Sequence, residues 1–215
     1  MRDGNELAVL RATDPSALAD AALAMQSGGI VGLPTETVYG IAVVPRPEAL
    51  KAVIATKGRS EDKGIALLID GLDQVGSLVT LSELARRLAG RYWPGALTLV
   101  LPLLRPGLVP DALSGGRDSL AVRIPDHPVP RALARQLGPI AVTSANLAGE
   151  PPAQTADELI ASVGYSLALV LDDGPVRGGV ASTVVAVSAD GAWDVLREGA
   201  IGIDAIAAAA AAGQG

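Results

Sequence analysis

Six short polar segments interrupt the apolar stretches of this 215-residue chain, and each carries side chains that suit an anionic or hydroxyl-rich ligand. Arginine presents a planar fork that grips phosphate or carboxylate at two oxygens, whereas lysine supplies a mobile point charge. Small hydroxyls and amides at the end of a strand suit contacts to ribose or phosphate. The segments are LPTETVYG (33–40), TKGRSEDKG (56–64), SLAVRIPDHP (119–128), AVTSANLAGEPP (141–152), GPVRGGVASTVVAV (174–187) and VLREGAI (195–201).

The segment 56–64 holds a basic cluster between a predicted helix and a predicted strand. Lys57, Arg59 and Lys63 lie close together in sequence, and Gly58 and Gly64 permit a close backbone approach. The cluster is able to hold phosphates. Taken alone, it fits better with a solvated helix end, where cations complement the helix dipole and two acids of the same loop neutralise them.

Arg123 interrupts an otherwise apolar strand, 119–125. A guanidinium in a mostly buried strand is costly unless it is paired. It therefore either pairs with a structural carboxylate or faces a cavity that receives an anionic ligand, and the sequence leaves both open. His127, the single histidine, lies in a turn between Asp126 and Pro128, which favours a structural role.

The hydroxyl-rich segments also have two interpretations each. Thr35, Thr37 and Tyr39 either line a pocket at a strand end or form an ordinary polar turn, and Ser144 and Asn146 either contact a nucleotide or bond to their own backbone.

Two glycine- and arginine-containing segments near the C terminus are similarly ambiguous. Ser182 follows a glycine-rich stretch that either exposes N–H groups to an anion or is a surface turn. Arg197 closes a strand and is either a ligand contact or a solvated side chain. Neither a P-loop nor a G-x-G-x-x-G motif after the first strand is present.

Alternating apolar and helical patterns predict the elements that position these segments. Helices are expected at 47–59, 81–92, 128–138 and 155–163, and the segment 203–215 is expected to start as a short helix that frays into a tail. Strands are expected at 29–34, 64–70, 96–102, 119–125, 139–146, 166–172, 182–187 and 192–197. Strands that are apolar on both faces and alternate with helices favour a three-layer α/β domain with a parallel or mixed sheet, with ligands outside the carboxyl ends of the strands. We expect one domain over 1–215, with a core of about 15–203 and an Ala-rich tail at 204–215.

Composition excludes several functional classes. Cysteine is absent, which removes disulfides, thiolate nucleophiles and cysteine-bound metals. No Ser-His-Asp set or metal-ligand cluster is visible, so no protein-bound metal is expected. The net charge of −6 disfavours extended RNA binding. The absence of a long apolar run and of a signal-like N terminus predicts a cytoplasmic protein with no membrane association.

Taken together, the motifs PTETVYG, KGR followed by KG, WPGALTLVLP, AVRIPDHP, TSAN with GEPP, ASTVV and LREGAI resemble the YrdC-like family. The resemblance extends over about 29–201. It implies a twisted mixed β-sheet with helices on both sides and a large basic cavity. Members of the family include threonylcarbamoyl-adenylate synthases.

That resemblance implies a reaction. L-threonine, bicarbonate or CO₂, and ATP, bound with Mg²⁺, give threonylcarbamoyl-adenylate and pyrophosphate. A separate transfer complex then uses the adenylate to modify the adenosine beside the anticodon of certain tRNAs, so direct tRNA binding is expected to be weak or absent. Alternatives are an RNA-binding ribosome-maturation factor and a paralogue that acts on another acid.

The resemblance also implies roles for individual residues. Lys57 and Arg59 are expected to hold the nucleotide phosphates and to be the catalytic pair. Further ATP contacts are expected from Lys63, Ser119, Ser144, Asn146 and Arg197. Threonine is expected to contact Thr35, Arg123 and Ser182.

The chain departs from the family pattern at two positions. Thr143 stands where many relatives have proline, and Leu68 or a neighbour stands where longer relatives have histidine. We also expect the extra C-terminal domain of those longer relatives to be absent. These differences predict the short form of the family and no histidine in threonine binding.

Overall fold

The computed structural model describes residues 7–58, 60 and 62–212. Within those residues, ten strands form one sheet: β1 (Ala8–Arg11), β2 (Val31–Leu33), β3 (Gly40–Val43), β4 (Ala66–Leu68), β5 (Leu97–Pro102), β6 (Ser119–Arg123), β7 (Ile140–Ser144), β8 (Leu169–Asp172), β9 (Thr183–Val187) and β10 (Trp193–Arg197). The α-helices are α1 (Ala17–Gln26), α2 (Pro47–Lys57), α3 (Glu83–Tyr92), α4 (Asp111–Ser114), α5 (Pro128–Leu137), α6 (Ala156–Val163) and α7 (Ile203–Ala211).

The sheet is mixed, with the strand order β1-β8-β2-β3-β7-β4-β6-β5-β9-β10. The parallel neighbours are β1/β8, β8/β2, β4/β6 and β5/β9, and the remaining neighbours are antiparallel. Helices pack on both faces, which confirms the predicted α/β architecture.

Alternating side chains divide the buried residues between the two faces. On β3, Ile41 and Val43 join one apolar cluster, while Ala42 joins the other. The first cluster includes residues of α2, α3, α4, α6 and α7. The second includes residues of α1 and α5. The sheet therefore has a first face, under the former helices, and a second face, under α1 and α5.

The helices of the second face cover only part of it. Helix α1 contacts β2 and β8, and α5 contacts β4 and β7. On the neighbouring strands, the register places Arg123 beside Leu68, and Thr98 beside Val184, on this same face. Arg197 is also paired with Val184. Among the described residues no helix packs over these positions, so the second face is open above β5, β6, β9 and β10.

Local signals that predicted helix ends are confirmed where they can be checked. Helix α2 begins at Pro47 and stops at Gly58, whose φ of 56° lies in the left-handed region that favours glycine. Helix α6 begins after Thr155, whose hydroxyl accepts a hydrogen bond from the Glu158 N–H at 3.2 Å. The Glu158 carboxylate accepts from Gln154 rather than from the cap itself.

Four of these elements were not predicted: β1, α1, β3 and the four-residue helix α4. Helix α1 carries apolar side chains on its outer side as well as its inner side, since Leu23 is 61% exposed, and this obscures the helical periodicity. Strand β3 has only four residues, all buried, directly after the polar turn at 35–39. A short strand without alternation gives no period to detect.

Residues of the predicted Ala-rich tail form most of α7. Ile206 and Ala210 are buried against the first-face cluster. The Tyr92 hydroxyl donates to the carbonyl of Ala205 at 2.8 Å, which ties α7 to α3. Of the helices in the described ranges, none has the length and apolar character needed to span a bilayer.

A pH-dependent stability follows from the start of α5. His127 caps this helix because its Nδ1 accepts the Val129 N–H at 3.3 Å. Burial lowers the pKa of His127 below its ordinary 6.5, although Asp173 and Glu36 oppose the shift. Because the folded-state pKa lies below the unfolded one, the stabilising contribution is complete above the unfolded value and is lost as the pH falls through the folded value.

We therefore expect the free energy of unfolding to fall more steeply between about pH 7 and about pH 5 for the wild type than for His127→Asn. Asparagine retains a capping oxygen but does not titrate in this range. Urea titrations at several pH values measure the difference. Parallel pH profiles of the two proteins would contradict the role of His127.

Candidate active site

A cavity of about 360 Å³ lies over the open part of the second face. Its floor is the sheet itself, including Ala66, Ala121 and Val184, so the site extends further over the strands than the predicted position at their ends. The described lining contains three cations and no carboxylate. Its charged and hydroxyl-bearing residues are Thr35, Thr37, Lys63, Thr98, Arg123, Thr143, Ser144, Ser182 and Arg197.

Arg123 is buried at the end of β6, with its side chain only 7% exposed. Its Nε donates to the carbonyl of Gly95 at 2.9 Å. Its Nη2 donates to Glu36 Oε1 at 2.6 Å and to Thr37 Oγ1 at 3.1 Å. Arg123 thus pairs with a carboxylate and also lines the cavity, and its predicted contact with an anionic ligand stays a prediction.

Glu36 was not predicted as part of the site. It lies in the PTETVYG segment between two threonines, and the signal that points to it is the need of a buried Arg123 for a carboxylate partner. The sequence does not say which acid that is, since 87 positions separate the pair.

Ser182 and Arg197 also line the cavity. Ser182 Oγ lies 2.8 Å from Thr98 Oγ1, and Arg197 Nη2 donates to the Ser182 carbonyl at 2.8 Å. Burial lowers the pKa of the Arg197 guanidinium, and the nearby Arg123 lowers it further. Two guanidiniums that repel each other across a cavity favour an anion between them.

Thr35 lines the cavity and also shapes the turn that precedes β3. Its Oγ1 donates to the Val38 carbonyl at 2.6 Å and accepts the Val38 N–H at 3.1 Å. Tyr39, predicted as a possible pocket residue, is instead fully buried, with its hydroxyl 2.8 Å from the Gly174 carbonyl and 3.1 Å from Asp172. Burial raises the pKa of Tyr39 to about 12.

Lys57 joins two segments that were predicted to bind nucleotide. Its Nζ donates to the carbonyls of Ser144 at 2.5 Å and Asn146 at 2.6 Å. Asn146 in turn donates from Nδ2 to the carbonyls of Leu147 and Glu150. Ser144 lines the cavity, whereas Lys57 and Asn146 are buried behind it and are not among its described lining residues. Their predicted contacts with ATP stay predictions.

The other predicted residues are placed differently. Lys63 is exposed and lines the cavity. Ser119 lies at the opposite end of β6 from Arg123 and does not belong to the described lining. Arg59 lies outside the described residues. Across the part of the chain that the structure describes, no group of His, Cys, Asp and Glu side chains could hold a metal ion.

Comparison with known proteins yields relatives along most of the chain. A threonylcarbamoyl-AMP synthase of Bacillus subtilis (strain 168) is 38% identical over 184 residues, which is 84% of this chain and 53% of the relative. A threonylcarbamoyl-AMP synthase of Methylococcus capsulatus is 46% identical over 140 residues, or 63% of this chain and 73% of the relative. The chain thus spans about half of the B. subtilis protein and most of the M. capsulatus one.

A solved structure has the same fold. The crystal structure of P. abyssi Sua5 complexed with L-threonine superimposes with a TM-score of 0.87 at 32% identity, covering 95% of this chain and 61% of that one. The profile of the Sua5/YciO/YrdC family, described as telomere recombination, matches residues 23–199. From its sequence and its fold, the chain belongs to the Sua5/YciO/YrdC family.

Proposed function

We propose that this protein catalyses the ATP-dependent synthesis of L-threonylcarbamoyladenylate from L-threonine, bicarbonate or CO₂, and ATP, with release of pyrophosphate. The observation that carries the proposal is the convergence of Lys63, Arg123 and Arg197, from separate segments, on one cavity. Relatives named threonylcarbamoyl-AMP synthase support it, as does the superposition on a threonine complex.

The cationic lining suits the chemistry of this reaction. The carbamate of threonine and the triphosphate of ATP are both anions, so their mutual repulsion opposes the attack on the α-phosphate. A protein lowers such a barrier by aligning the two reactants and by placing fixed positive charge where negative charge accumulates. This requires neither a nucleophilic side chain nor a protein-bound metal.

The proposed threonine site is the part of the cavity around Arg123. Its guanidinium would bind the substrate carboxylate, with Thr35 and Ser182 as neighbouring hydroxyls. The proposed ATP site is built from Ser144, Arg197 and Lys63 at the cavity wall and from Lys57 and Asn146 behind it. Ser119 and Arg59, of which Arg59 lies outside the described residues, are proposed as further ATP contacts. Lys57 and Arg59 are proposed as the catalytic pair.

Mg²⁺ is proposed as part of the nucleotide substrate. Mg²⁺ keeps several waters and binds substrate phosphates readily, so a dedicated protein cage is unnecessary. The described residues fit that arrangement, because the cavity lining offers cations and hydroxyls rather than carboxylates. When bound, the metal would neutralise part of the triphosphate charge.

The product is proposed to pass to a separate complex that modifies tRNA, without tight tRNA binding by this chain. The net charge of −6 supports this over an RNA-binding maturation factor. A related protein that activates a different acid would share the cavity and differ in the group that Arg123 receives.

The proposal predicts pyrophosphate release that requires both threonine and bicarbonate. A coupled pyrophosphate assay with purified protein, ATP and Mg²⁺ measures it, and mass spectrometry identifies the adenylate. Omitting threonine or bicarbonate should reduce the rate to background. Pyrophosphate release that depends on another acid indicates the paralogue, while salt-sensitive RNA affinity without any release indicates the maturation factor.

Replacing Arg123 should act mainly on threonine. We expect Arg123→Lys, which keeps a charge but loses the fork, to raise the KM for threonine about 10- to 100-fold, because each charge-assisted contact contributes about 1.5–3 kcal/mol. The KM for ATP should change by less than about threefold, because Arg123 is proposed to contact threonine and not ATP. Arg91→Ala, an exposed change on α3, is the control. Equal increases in both KM values would argue against the assignment.

Replacing Lys57 should act mainly on ATP. Lys57→Ala removes the donor that holds the carbonyls of Ser144 and Asn146, so we expect the KM for ATP to rise at least about tenfold while the KM for threonine changes less. Lys51→Ala, exposed on the same helix, is the matched control. The assignment is wrong if Lys57→Ala and Lys51→Ala have the same KM for ATP.

A further inference from the structure

The carboxylate of Glu36 uses only one of its two oxygens. Oε1 accepts from Arg123 Nη2 at 2.6 Å. Oε2 is buried and has no hydrogen-bond partner among the described residues. A buried carboxylate oxygen without a donor is costly, so natural proteins rarely keep one without a use. The free oxygen is therefore a place where a ligand can donate a hydrogen bond.

Arg123 likewise has one hydrogen-bond donor that no described residue occupies. Its Nε and Nη2 groups donate to Gly95, Glu36 and Thr37, while its Nη1 makes no hydrogen bond to any described residue. The ion pair thus retains one cationic donor, on Arg123, and one anionic acceptor, on Glu36, that no described residue occupies. An amino acid carries its own ammonium and carboxylate on one carbon atom, which is the matching arrangement of opposite charges.

The position of the pair strengthens this match. Arg123 lines the main cavity, and Glu36 lines an adjoining cavity of about 230 Å³. Thr35 lines both, so the ion pair lies in the wall between them. A substrate bound to Arg123 would lie next to Glu36, whose Oε1 is 2.6 Å from Arg123 Nη2.

His127 is the other candidate proton acceptor near this wall, but both of its ring nitrogens already have partners. Its Nδ1 accepts the Val129 N–H, and its Nε2 lies 3.3 Å from Asp173 Oδ2. Neither nitrogen is left to accept a proton from a substrate amine. Of the titratable groups that line the adjoining cavity, Glu36 is the one with a buried oxygen that no described residue occupies.

We propose that Glu36 binds the α-ammonium group of the amino-acid substrate and accepts the proton that the amine must lose before it captures CO₂. This inference rests on the proposed function and gives Glu36 a role in its first step. Arg123 then holds the substrate carboxylate through its free edge, while Glu36 holds the ammonium through Oε2.

The proton balance is complete. The ammonium gives one proton to the Glu36 carboxylate, which leaves a neutral amine and a carboxylic acid. The nitrogen lone pair forms a bond to the carbon of CO₂, and one C=O electron pair moves to oxygen. The nitrogen then releases its second proton to water, which leaves the carbamate, and Glu36 returns its proton to solvent after the product departs.

Two ligands separate an ammonium contact from general damage to the site. L-threonine carries the ammonium, whereas β-hydroxybutyrate keeps a carboxylate and a hydroxyl but lacks it. We expect Glu36→Gln to weaken threonine binding about 10- to 100-fold and to change β-hydroxybutyrate binding by less than about threefold, measured by calorimetry. Glu48→Gln, exposed at the start of α2, is the control. Equal weakening of both ligands, or of neither, would overturn the ammonium contact.

The reverse half-reaction tests the proton transfer separately. Pyrophosphate and threonylcarbamoyl-adenylate regenerate ATP without any ammonium to deprotonate. Glu36→Gln should therefore keep this rate within about threefold while the forward rate from threonine falls at least about tenfold. A matching loss in both directions would mean a structural role only. Absence of threonine-dependent pyrophosphate release from the wild type is a different outcome, which refutes the proposed function itself.

Discussion

A guanidinium inside a β-sheet is tolerated only when its surroundings replace the water it has lost, and Arg123 imposes that requirement on this fold. Its donors are received by the Gly95 carbonyl before β5, and by Thr37 and Glu36 between β2 and β3. Segments far apart in the chain are thereby held against the end of β6. The charge that makes the cavity attractive to an anion also fixes the position of the cavity wall.

The uneven coverage of the sheet explains why the site lies where it does. Strands β5 and β6 bury Leu99 and Val122 on the first face, so they are anchored without any helix over the second face. Their other side chains, Thr98 and Arg123, can then face the cavity and remain on a rigid support. Side chains carried by strands of a central sheet are positioned more precisely than those on loops, which suits a reaction that depends on alignment.

Features of this structure that depend on residues close together in the sequence could be predicted, whereas those that depend on residues far apart could not. The ends of α2 and α6 follow from Pro47, Gly58 and Thr155, because a cap is decided within one turn of helix. Arg123 could be singled out because a charge in an apolar run is locally anomalous. Its partner could not, since choosing Glu36 among 23 acidic residues requires the sheet order itself. Helix α1 was not predicted because apolar residues on its exposed side obscure the helical period of its sequence. Strand β3 was not predicted because all of its residues are buried, so its sequence has no alternation of apolar and polar residues.

Lys57 joins two elements through its ammonium group. Its Nζ donates to the carbonyls of Ser144 and Asn146, which links the end of α2 to the turn after β7. The contact fixes the turn after β7 and so sets the position of the Ser144 hydroxyl at the cavity wall. The end of α2 and the end of β7 therefore act as one unit, in which the lysine orders the turn that carries Ser144.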